Sequence, residues 1–565
     1  MPSRTLQGTP ASPGLAGGVA RILLAAVADE RAVAPGDRPN EVLRAREALT
    51  RAASELGEMG QRLRAEHREE EAEIVETGVL FALDPSLIDE VEAAITERGL
   101  HAVAALAAAA ESQAAIIAAL DDELLAARAA DIRSLGQRAA RLVGGASDTV
   151  LRNSGTATVL VAMDLGPADV AELSPDIRAI ALASGGATAH AAIVARSLGL
   201  PMVVGTGNDL LAIRDGTELV VDGTTGTVVI EPTAQELVSA AEAVAARARV
   251  SADAALPAIT RDGHRLAVLA NVSGVPETRL ALQGGAEGVG LLRTELAFLG
   301  TTRWPTEADH LQHLGPLLAL LQGRVATVRL LDFGGDKTPP FLAGTTERGI
   351  HLVPPEALFA QVRAILRAGR GTRLRLLVPM VTEVSDVTRV RAAIRDALHG
   401  LTGTEPPQLG AMIEVPAAAA MADRLAAHVD LFSVGTNDLT QFQLGLDRNR
   451  PGRAPSHHPA LLTLIASTVA AARRHGVVTE VCGEAASDAL VMPLLVGLGV
   501  DELSVGAARV PYVRDWVRRL DHGSVQALAQ QALGADGPAA VEALMAPTRH
   551  LLESSEAGSQ GLKGV

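Results

Sequence analysis

A histidine in the segment Gly185-Gly-Ala-Thr-Ala-His190 follows an apolar run that predicts a strand and precedes a pattern that predicts a helix. Thr188 is a suitable N-cap, so His190 falls in the first helical turn. There, unbonded backbone N–H groups and the helix dipole disfavour imidazolium, which keeps the ring neutral and nucleophilic near neutral pH. The same N–H groups can bind the oxygens of a phosphoryl group. The segment therefore predicts a phosphoryl carrier, although a single histidine at such a place also fits a purely structural role.

Charged and polar side chains end several apolar runs in the second half of the chain. Those able to bind an anion are Arg293, Arg329, Lys337, Asn437 and Arg448. Arginine binds phosphate and carboxylate groups through two parallel hydrogen bonds and keeps its charge when dehydrated. Glu414 and Asp438 end adjacent runs and offer the oxygen ligands that Mg2+ prefers. A surface ion pair would explain any one of these residues, but together they predict a magnesium-dependent pocket for a small polyanion.

Cys482, the only cysteine of the chain, ends another apolar run close to Glu484. Its thiol is a candidate proton donor in the pocket, whereas a single buried cysteine is more often inert. The pocket contains no obvious phosphoryl acceptor, and His190 belongs to a different part of the chain. The sequence thus predicts transfer of a phosphoryl group from a small acid in the pocket to His190, which needs positioning and charge neutralisation more than covalent assistance.

Composition sets the broad class of the protein. With 565 residues, the chain is expected to fold into several domains. Hydrophobic residues make up 48% of it but aromatic ones only 2%, so Ala, Leu and Val must fill the cores. A formal net charge of −16 argues against a nucleic-acid partner. No apolar run reaches the roughly 18 residues that a membrane span needs, and no secretory signal opens the chain. We therefore predict a cytoplasmic protein without direct membrane insertion.

Eight apolar runs separated by helical patterns occupy residues 257–550. The runs are 266–271, 288–295, 325–332, 374–380, 410–415, 431–438, 477–484 and 502–506. Such alternation over about 250 residues predicts a (β/α)8 barrel, whose active site lies at the carboxyl ends of the strands. The candidate anion, metal and acid groups fall at those ends.

The rest of the chain predicts a second, composite part. Residues 1–27 and 146–231 contain short apolar runs and glycine turns, which predict an α/β domain carrying His190. Residues 28–145 show helical spacing and predict an inserted helical bundle, which either offers a face to a partner or serves structure alone. A connecting helix is predicted for 232–256 and a disordered tail for 551–565. The predicted fold class is a multidomain α/β protein in which this composite part precedes the barrel.

Several motifs of this chain occur together in one known family. They are Ala11-Ser-Pro-Gly14, Asp121-Asp-Glu-Leu124 with Asp131-Ile-Arg133, Gly185-Gly-Ala-Thr-Ala-His190, Gly288-Val-Gly-Leu-Leu-Arg-Thr-Glu295, Leu331-Asp-Phe-Gly-Gly-Asp-Lys337, Met412-Ile-Glu-Val-Pro-Ala417, Ser433-Val-Gly-Thr-Asn-Asp-Leu-Thr-Gln441 and Cys482-Gly-Glu484. Over nearly its whole length the chain resembles the phosphoenolpyruvate-protein phosphotransferases, enzyme I of the bacterial sugar phosphotransferase system. The histidine and barrel motifs alone also occur in pyruvate phosphate dikinase and phosphoenolpyruvate synthase.

The resemblance implies a swivelling phosphohistidine domain and a two-step relay. Phosphoenolpyruvate and Mg2+ would bind in the barrel, Nε2 of His190 would take the phosphoryl group, and Cys482 would protonate the enolate to give pyruvate. The implied substrate ligands are Arg293, Arg329, Asn437, Asp438 and Arg448, the implied metal ligands are Glu414 and Asp438, and Lys337, Arg348 and Glu484 are additional candidates. The group would then pass to a histidine of the carrier protein HPr, docked on the helical insert. Family members form homodimers through the barrel.

One loop departs from the family pattern. Where relatives have an Asn-Pro-x-Leu-Gly-x-Arg-x-Ile-Arg segment, this chain has Thr345-Thr-Glu-Arg-Gly-Ile-His351, which keeps Arg348 but places His351 where an arginine is usual. The change predicts slower turnover or weaker substrate binding. Two alternatives stay open: a dikinase-like enzyme charged by ATP that lacks its nucleotide domain, and a regulatory homologue with weakened catalysis. Residues 1–184 contain no glycine-rich phosphate loop between a strand and a helix, which argues against the first.

Overall fold

The computed structural model describes residues 4–23, 32–65, 69–118, 128–144, 157–174, 176–186, 190–335, 337–345, 347–446 and 455–553. The chain forms two compact units, which divide between Arg247 and Ala248. The predicted cap Thr188 and the candidate ligand Arg448 lie outside the described residues. So do residues 554–565 of the predicted tail, whereas its first three residues continue the helix Pro538–Glu553.

The first unit contains a mixed sheet. Its strands come from residues 4–23 and from residues 158–230, on either side of the helical insert. Its described strands are β1 (Arg4–Gln7), β2 (Thr9–Ser12), β3 (Leu15–Leu23), β4 (Thr158–Ala162), β5 (Ile177–Leu182), β6 (Met202–Val204), β7 (Glu218–Asp222) and β8 (Thr227–Ile230), in the order β1-β8-β7-β3-β4-β5-β6-β2. β3 pairs in parallel with β4 and antiparallel with β7, as the sequence predicts for the amino-terminal segment. Apolar side chains cover both faces of the sheet, which makes it the core of the unit.

The described residues between β3 and β4 are mainly helical. The helices among them are Arg38–Ala65, Glu69–Ala82, Pro85–Thr96, Ala102–Ala118 and Ala129–Gly144. Their shared core consists mainly of alanine and leucine, whose small volumes let the helices approach closely. The third helix begins at Pro85 because Asp84 caps it, its Oδ1 accepting from the Ser86 N–H at 2.7 Å.

The described part of the first unit also contains shorter helices. They are Pro167–Ala171, His190–Leu198 and the 3-10 turn Asn208–Ala212. A longer helix, Ala234–Ala252, lies within the predicted connecting segment and crosses the division between the two units. None of the described helices is long and apolar enough to cross a membrane.

The second unit is a closed barrel of parallel strands. Among the described residues the strands are β9 (Ala267–Val272), β10 (Gly288–Leu292), β11 (Val325–Arg329), β12 (Arg373–Val378), β13 (Gln408–Ile413), β14 (Leu431–Val434), β15 (Val478–Val481) and β16 (Glu502–Gly506). β16 pairs with β9 and closes the ring. Each strand lies within or beside one of the eight predicted apolar runs, so the predicted fold class is confirmed.

Helices and short turns surround the barrel. The helices are Val275–Gln283, Glu307–Ala319, Pro355–Ala368, Val384–Leu398, Pro416–Ala420, Ala422–Ala426, Thr436–Leu444, Pro459–His475, Met492–Leu498, Val510–Arg519, His522–Leu533 and Pro538–Glu553, and the 3-10 turns are Asp253–Ala255, Leu296–Phe298, Pro340–Leu342, Gly349–His351, Glu484–Ser487 and Ala507–Arg509. One continuous apolar core joins the strands to this outer layer. The loops after the strands therefore stand on a rigid support.

Candidate functional site

His190 is the first residue of the helix His190–Leu198, which follows β5 and a glycine turn. Gly185 has φ +98°, a conformation that glycine adopts without strain and that lets the chain turn sharply before the helix. Val194 is buried on the inner face of the helix, but Leu198 is 40% exposed and does not belong to that face. The backbone thus places His190 at a helix N-terminus, while its side chain lies outside the described structure.

A buried cluster of four charges lies at the carboxyl ends of β10 and β11. Arg329, the last residue of β11, donates to Glu295 Oε1 and approaches Asp332 Oδ2 at 3.1 Å. Lys337 Nζ lies 2.8 Å from Asp332 Oδ2 and 3.6 Å from Glu295 Oε1. The side chains of Arg329 and Glu295 are almost inaccessible to solvent. Each cation contacts both carboxylates, so the cluster is neutral and held together by charge.

The electrostatics of this cluster favour a permanently charged arginine. Burial alone would lower the pKa of Arg329, but the carboxylates of Asp332 and Glu295 raise it above its usual value. The second oxygen of Glu295, Oε2, is buried and has no hydrogen-bond partner among the described residues. The cluster therefore holds two cations, Arg329 and Lys337, and the carboxylate Glu295 that they share is incompletely hydrogen-bonded. An incoming phosphate or carboxylate can compete for those cations.

Glu414 follows β13 and is buried at the centre of the barrel mouth. Its Oε1 accepts a hydrogen bond of 2.7 Å from the backbone N–H of Met380, whose φ of +52° is unusual for a residue with a side chain. Burial, together with the charges of Asp332 and Asp438, raises the pKa of Glu414 to about 8. A bound cation would relieve this repulsion and keep the carboxylate ionised, which is what a metal ligand requires.

Asn437 and Asp438 lie in the first turn of the helix Thr436–Leu444, directly after β14. Asn437 and Glu484 are joined by two reciprocal hydrogen bonds of 3.1 Å, one from the amide Nδ2 to Glu484 Oε1 and one from the Glu484 N–H to the amide oxygen. These bonds connect the loops after β14 and β15. In this structure, Glu484 thus orients the candidate substrate ligand Asn437.

Cys482 lies beneath a cavity of about 390 Å3 at the barrel mouth, and Arg293 lines the same cavity. The thiol is only 2% exposed and packs against Leu291, Leu377 and Met412. Burial, and to a lesser degree the charge of Glu480, raises the pKa of Cys482 to about 12. The thiol therefore remains protonated at neutral pH, which suits a proton donor and not a nucleophile.

The divergent loop packs against the same mouth. A side chain at Gly335, where φ is +65°, would come within 3.2 Å of the guanidinium carbon of Arg348, so glycine allows Arg348 to cover this turn. His351 Nε2 lies 3.3 Å from the Met380 carbonyl oxygen, and its Nδ1 lies 3.6 Å from Asp386. His351 thus contacts the turn whose N–H group binds Glu414.

The barrel mouth combines most of the candidate residues predicted in the second half of the chain. The structure places Arg293, Arg329, Lys337, Glu414, Asn437, Asp438, Cys482, Glu484 and Arg348 at or after the carboxyl ends of the strands. The sequence assigned no role to Glu295 or Asp332. Each nevertheless lies just beyond the carboxyl end of a strand, the kind of position that indicated Arg293 as a candidate. Lys337, predicted to bind an anion, is paired here with Asp332.

The described residues fit a magnesium ion that shares its ligands with substrate. No group of three or more His, Cys, Asp or Glu side chains among them is placed to hold a metal ion. Glu414 and Asp438 are close enough to repel each other, however. Mg2+ commonly binds through one or two carboxylates plus substrate phosphate and water, so this pair matches that pattern.

Comparison with family models divides the chain into three matched regions. Residues 7–128 match the model described as PEP-utilising enzyme, N-terminal; residues 155–226 match PEP-utilising enzyme, mobile domain; and residues 247–522 match PEP-utilising enzyme, PEP-binding domain. The second region contains His190 and the third contains the barrel-mouth cluster. The two candidate sites therefore fall in regions that match models described as PEP-utilising enzyme.

Individual relatives match most of this chain. A multiphosphoryl transfer protein of Xanthomonas campestris pv. campestris is 40% identical over 95% of this chain, which spans only 66% of that protein. This chain spans 58% of the length of another multiphosphoryl transfer protein, from Rhodobacter capsulatus. A phosphoenolpyruvate-protein phosphotransferase of Haemophilus influenzae is 33% identical over 97% of this chain and 100% of its own length. The chain therefore belongs to the phosphoenolpyruvate-protein phosphotransferase family.

Proposed function

We propose that this protein transfers the phosphoryl group of phosphoenolpyruvate to its own His190 and then to a histidine of the carrier protein HPr, as the first step of phosphotransferase-system sugar uptake. The observation that carries the proposal is the buried cluster around Arg329 and Lys337, which lies beside the carboxylate pair Glu414 and Asp438. Phosphoenolpyruvate is a small trianion near neutral pH, so it requires both cationic side chains and a divalent ion. The names of the full-length relatives support the same activity.

In the first step, Arg293, Arg329 and Arg448 would hold the phosphate and carboxylate groups, and Asn437 would donate to one of them. Glu414 and Asp438 would hold Mg2+, which when bound neutralises charge on the phosphate. His190 Nε2 forms a bond to phosphorus while the bond from phosphorus to the enol oxygen breaks. Cys482 then gives its proton to the methylene carbon of the enolate, and pyruvate leaves. Transfer of this kind depends on positioning and charge neutralisation.

In the second step, HPr would dock on the helical insert and take the group from His190. The insert exposes several large apolar side chains that a partner could cover: Leu43, Leu80, Leu83 and Ile116, of which Leu80 is 72% exposed. The proposal also includes a homodimer through the barrel and a cytoplasmic location, both of which remain predictions. A sedimentation experiment on the full chain tests the first of these.

The decisive experiment is incubation of the full chain with labelled phosphoenolpyruvate and Mg2+. We expect acid-labile labelling that is absent in the His190→Ala variant, and pyruvate release that becomes catalytic on adding HPr. His190→Ala should leave barrel fluorescence unchanged, because His190 belongs to the first unit. Persistent labelling of that variant would remove His190 from the mechanism.

The same experiment tests the two alternatives. Labelling from ATP without phosphoenolpyruvate would indicate a dikinase-like enzyme, and binding of phosphoenolpyruvate without labelling would indicate a regulatory homologue. The relatives are named for phosphoryl transfer to protein, which favours the proposed function over both. The effect of the divergent loop is measured by comparing KM for phosphoenolpyruvate between the protein and a His351→Arg variant. A lower KM in the variant would support the predicted weakening.

A further inference from the structure

A second buried carboxylate lies beside Cys482, and the proposed reaction does not use it. Glu480 is in β15, two residues before Cys482, and its side chain is fully buried. Side chains two residues apart in a strand point to the same face, so both project into the barrel interior. Burying a carboxyl group costs free energy, so a fully buried glutamate calls for a structural or functional explanation.

The Ser433 hydroxyl connects this glutamate to the thiol. Ser433 stands opposite Glu480 on the neighbouring strand β14, and its Oγ donates a 2.8 Å hydrogen bond to Glu480 Oε1. The same hydroxyl lies close enough to the Cys482 sulfur to lower the pKa of the thiol in opposition to burial, while the thiol itself donates to the Val434 carbonyl oxygen at 3.7 Å. Carboxyl group, hydroxyl and thiol therefore lie next to one another in one row inside the barrel.

The barrel interior also leaves space for the carboxyl group. A side chain at Gly290 would come within 2.5 Å of Glu480 Oε2, so the absence of a Cβ there makes room for it. Oε2 is buried without a hydrogen-bond partner among the described residues. An unpaired ionised oxygen would be costly at this position, whereas a protonated one is tolerated.

The surrounding charges favour the protonated form. Burial, together with the charge of Glu502 on β16, raises the pKa of Glu480 to about 8. Arg375 on β12 offsets this only in part, since both of its terminal nitrogens bind Glu502, at 2.6 and 3.0 Å. Glu480 thus carries a proton at neutral pH, while burial holds the pKa of Cys482 at about 12. A proton moving from Glu480 to a Cys482 thiolate moves towards the stronger base.

We propose that Glu480 returns a proton to Cys482 through the Ser433 hydroxyl after each turnover. The inference rests on the proposed function, in which the enolate takes the Cys482 proton and leaves a thiolate. The Ser433 hydroxyl, which donates to Glu480 while the thiol is protonated, turns towards the thiolate, and the Glu480 carboxyl group then donates to Ser433 Oγ. The O–H bond of Glu480 breaks as its proton passes to Ser433 Oγ, while the Ser433 proton passes to the Cys482 sulfur. Glu480 becomes a carboxylate and regains a proton from water, so that only protons are exchanged.

The opposite end of the barrel supplies a route for that last proton. Glu502 stands opposite Glu480 in the register of β15 and β16. With Arg265 and Arg375, it lines a cavity of about 290 Å3 at the amino-terminal end of the strands. Water entering there reaches Glu502, the nearest charged neighbour of Glu480, without passing through the substrate pocket.

The test uses the full-length Glu480→Gln variant with phosphoenolpyruvate, Mg2+ and excess HPr, and follows pyruvate release by rapid quench. Glutamine keeps the acceptor for Ser433 but has no proton to give. We expect the first equivalent of pyruvate to form at the wild-type rate, because Cys482 starts protonated. Later turnovers should slow about a hundredfold, the lower end of general acid–base contributions. Glu307→Gln, in which the altered residue pairs with Arg367 between two outer helices of the barrel, should give the wild-type time course.

Linear pyruvate release by Glu480→Gln at the wild-type rate would overturn the relay. Ser433→Ala interrupts the same path and should show the same burst, and the amplitude of His190 labelling serves as the folding control for both variants. If neither variant folds, pyruvate release by the wild type in mixtures of H2O and D2O decides. A curved dependence on the deuterium fraction supports several protons in motion, and a linear one refutes the relay. A wild-type chain that releases no pyruvate would instead refute the proposed function.

Discussion

Replacing Arg329 by methionine should destabilise the barrel far more than loss of an ordinary surface charge. The side chain of Arg329 is 4% exposed and that of its partner Glu295 is fully buried. Without Arg329, Glu295 keeps only Lys337 at 3.6 Å, and Lys337 is already bound to Asp332. Removing one member of a buried pair leaves an uncompensated charge and costs about 3–5 kcal/mol of unfolding free energy.

Urea unfolding followed by tryptophan fluorescence measures this effect. Both tryptophans of the chain, Trp304 and Trp516, belong to the barrel unit, so the signal reports that unit alone. The matched control is Arg265→Met. The ion pair of Arg265 with Glu287 spans a similar 2.8 Å, but the Arg265 side chain is 66% exposed. Such exposed pairs contribute about 0–1 kcal/mol, so the control should unfold almost like the wild type.

A second substitution separates charge from packing. Adding Glu295→Gln to Arg329→Met removes the stranded carboxylate, so the double variant should recover much of the lost stability. The reasoning would be refuted if Arg329→Met cost no more than Arg265→Met, or if the double variant were no more stable than the single one. The first result would mean that water reaches Glu295, and the second that Arg329 stabilises through its hydrocarbon chain.

Two further predictions follow from buried titratable groups. Because the pKa of Cys482 is raised to about 12, its alkylation by iodoacetamide in the native protein should accelerate steadily up to about pH 11; a plateau near pH 9 would contradict that value. His310 is buried with neither ring nitrogen hydrogen-bonded among the described residues, and burial lowers its pKa from 6.5 to about 4. The unfolded chain therefore binds the proton more readily, so stability is lost as the pH falls from 7 to 5, by about 2 kcal/mol. His310→Phe should remove that part of the pH dependence of urea unfolding, and an unchanged dependence would refute it.

The sequence predicted the barrel well because its signal is local. Each parallel strand is buried on both faces, so its sequence is a mainly apolar run such as Gly288–Leu292. β1, Arg4–Gln7, has only one buried residue, and no run in the sequence indicated it. It forms because β8 offers a free edge for antiparallel pairing, which depends on residues more than 200 positions away.

The residues that form the site were predictable from the sequence, but the ion pairs and hydrogen bonds among them were not. Spacing places Arg329 and Lys337 after the same strand, yet it cannot show that both contact Glu295, which follows a different strand. Nor could it show that Glu480 and Ser433 meet, because that contact depends on the register of β14 and β15. Strand register and the inward direction of side chains are tertiary properties, so the sequence indicated which groups are present but not which ones neutralise each other.

The position of the helical insert has a consequence for engineering. β3 and β4 are adjacent and parallel, and the helices between Arg38 and Gly144 lie in the connection that joins them. A parallel pair cannot be closed by a tight turn, since the chain must travel back along the whole length of the sheet before it enters the next strand. The bundle is therefore the return path of a β-α-β unit. Excising residues 38–144 would leave the 14 residues 24–37 and the 13 residues 145–157 to join the two strands, which exceeds the dozen or so that a parallel crossover needs.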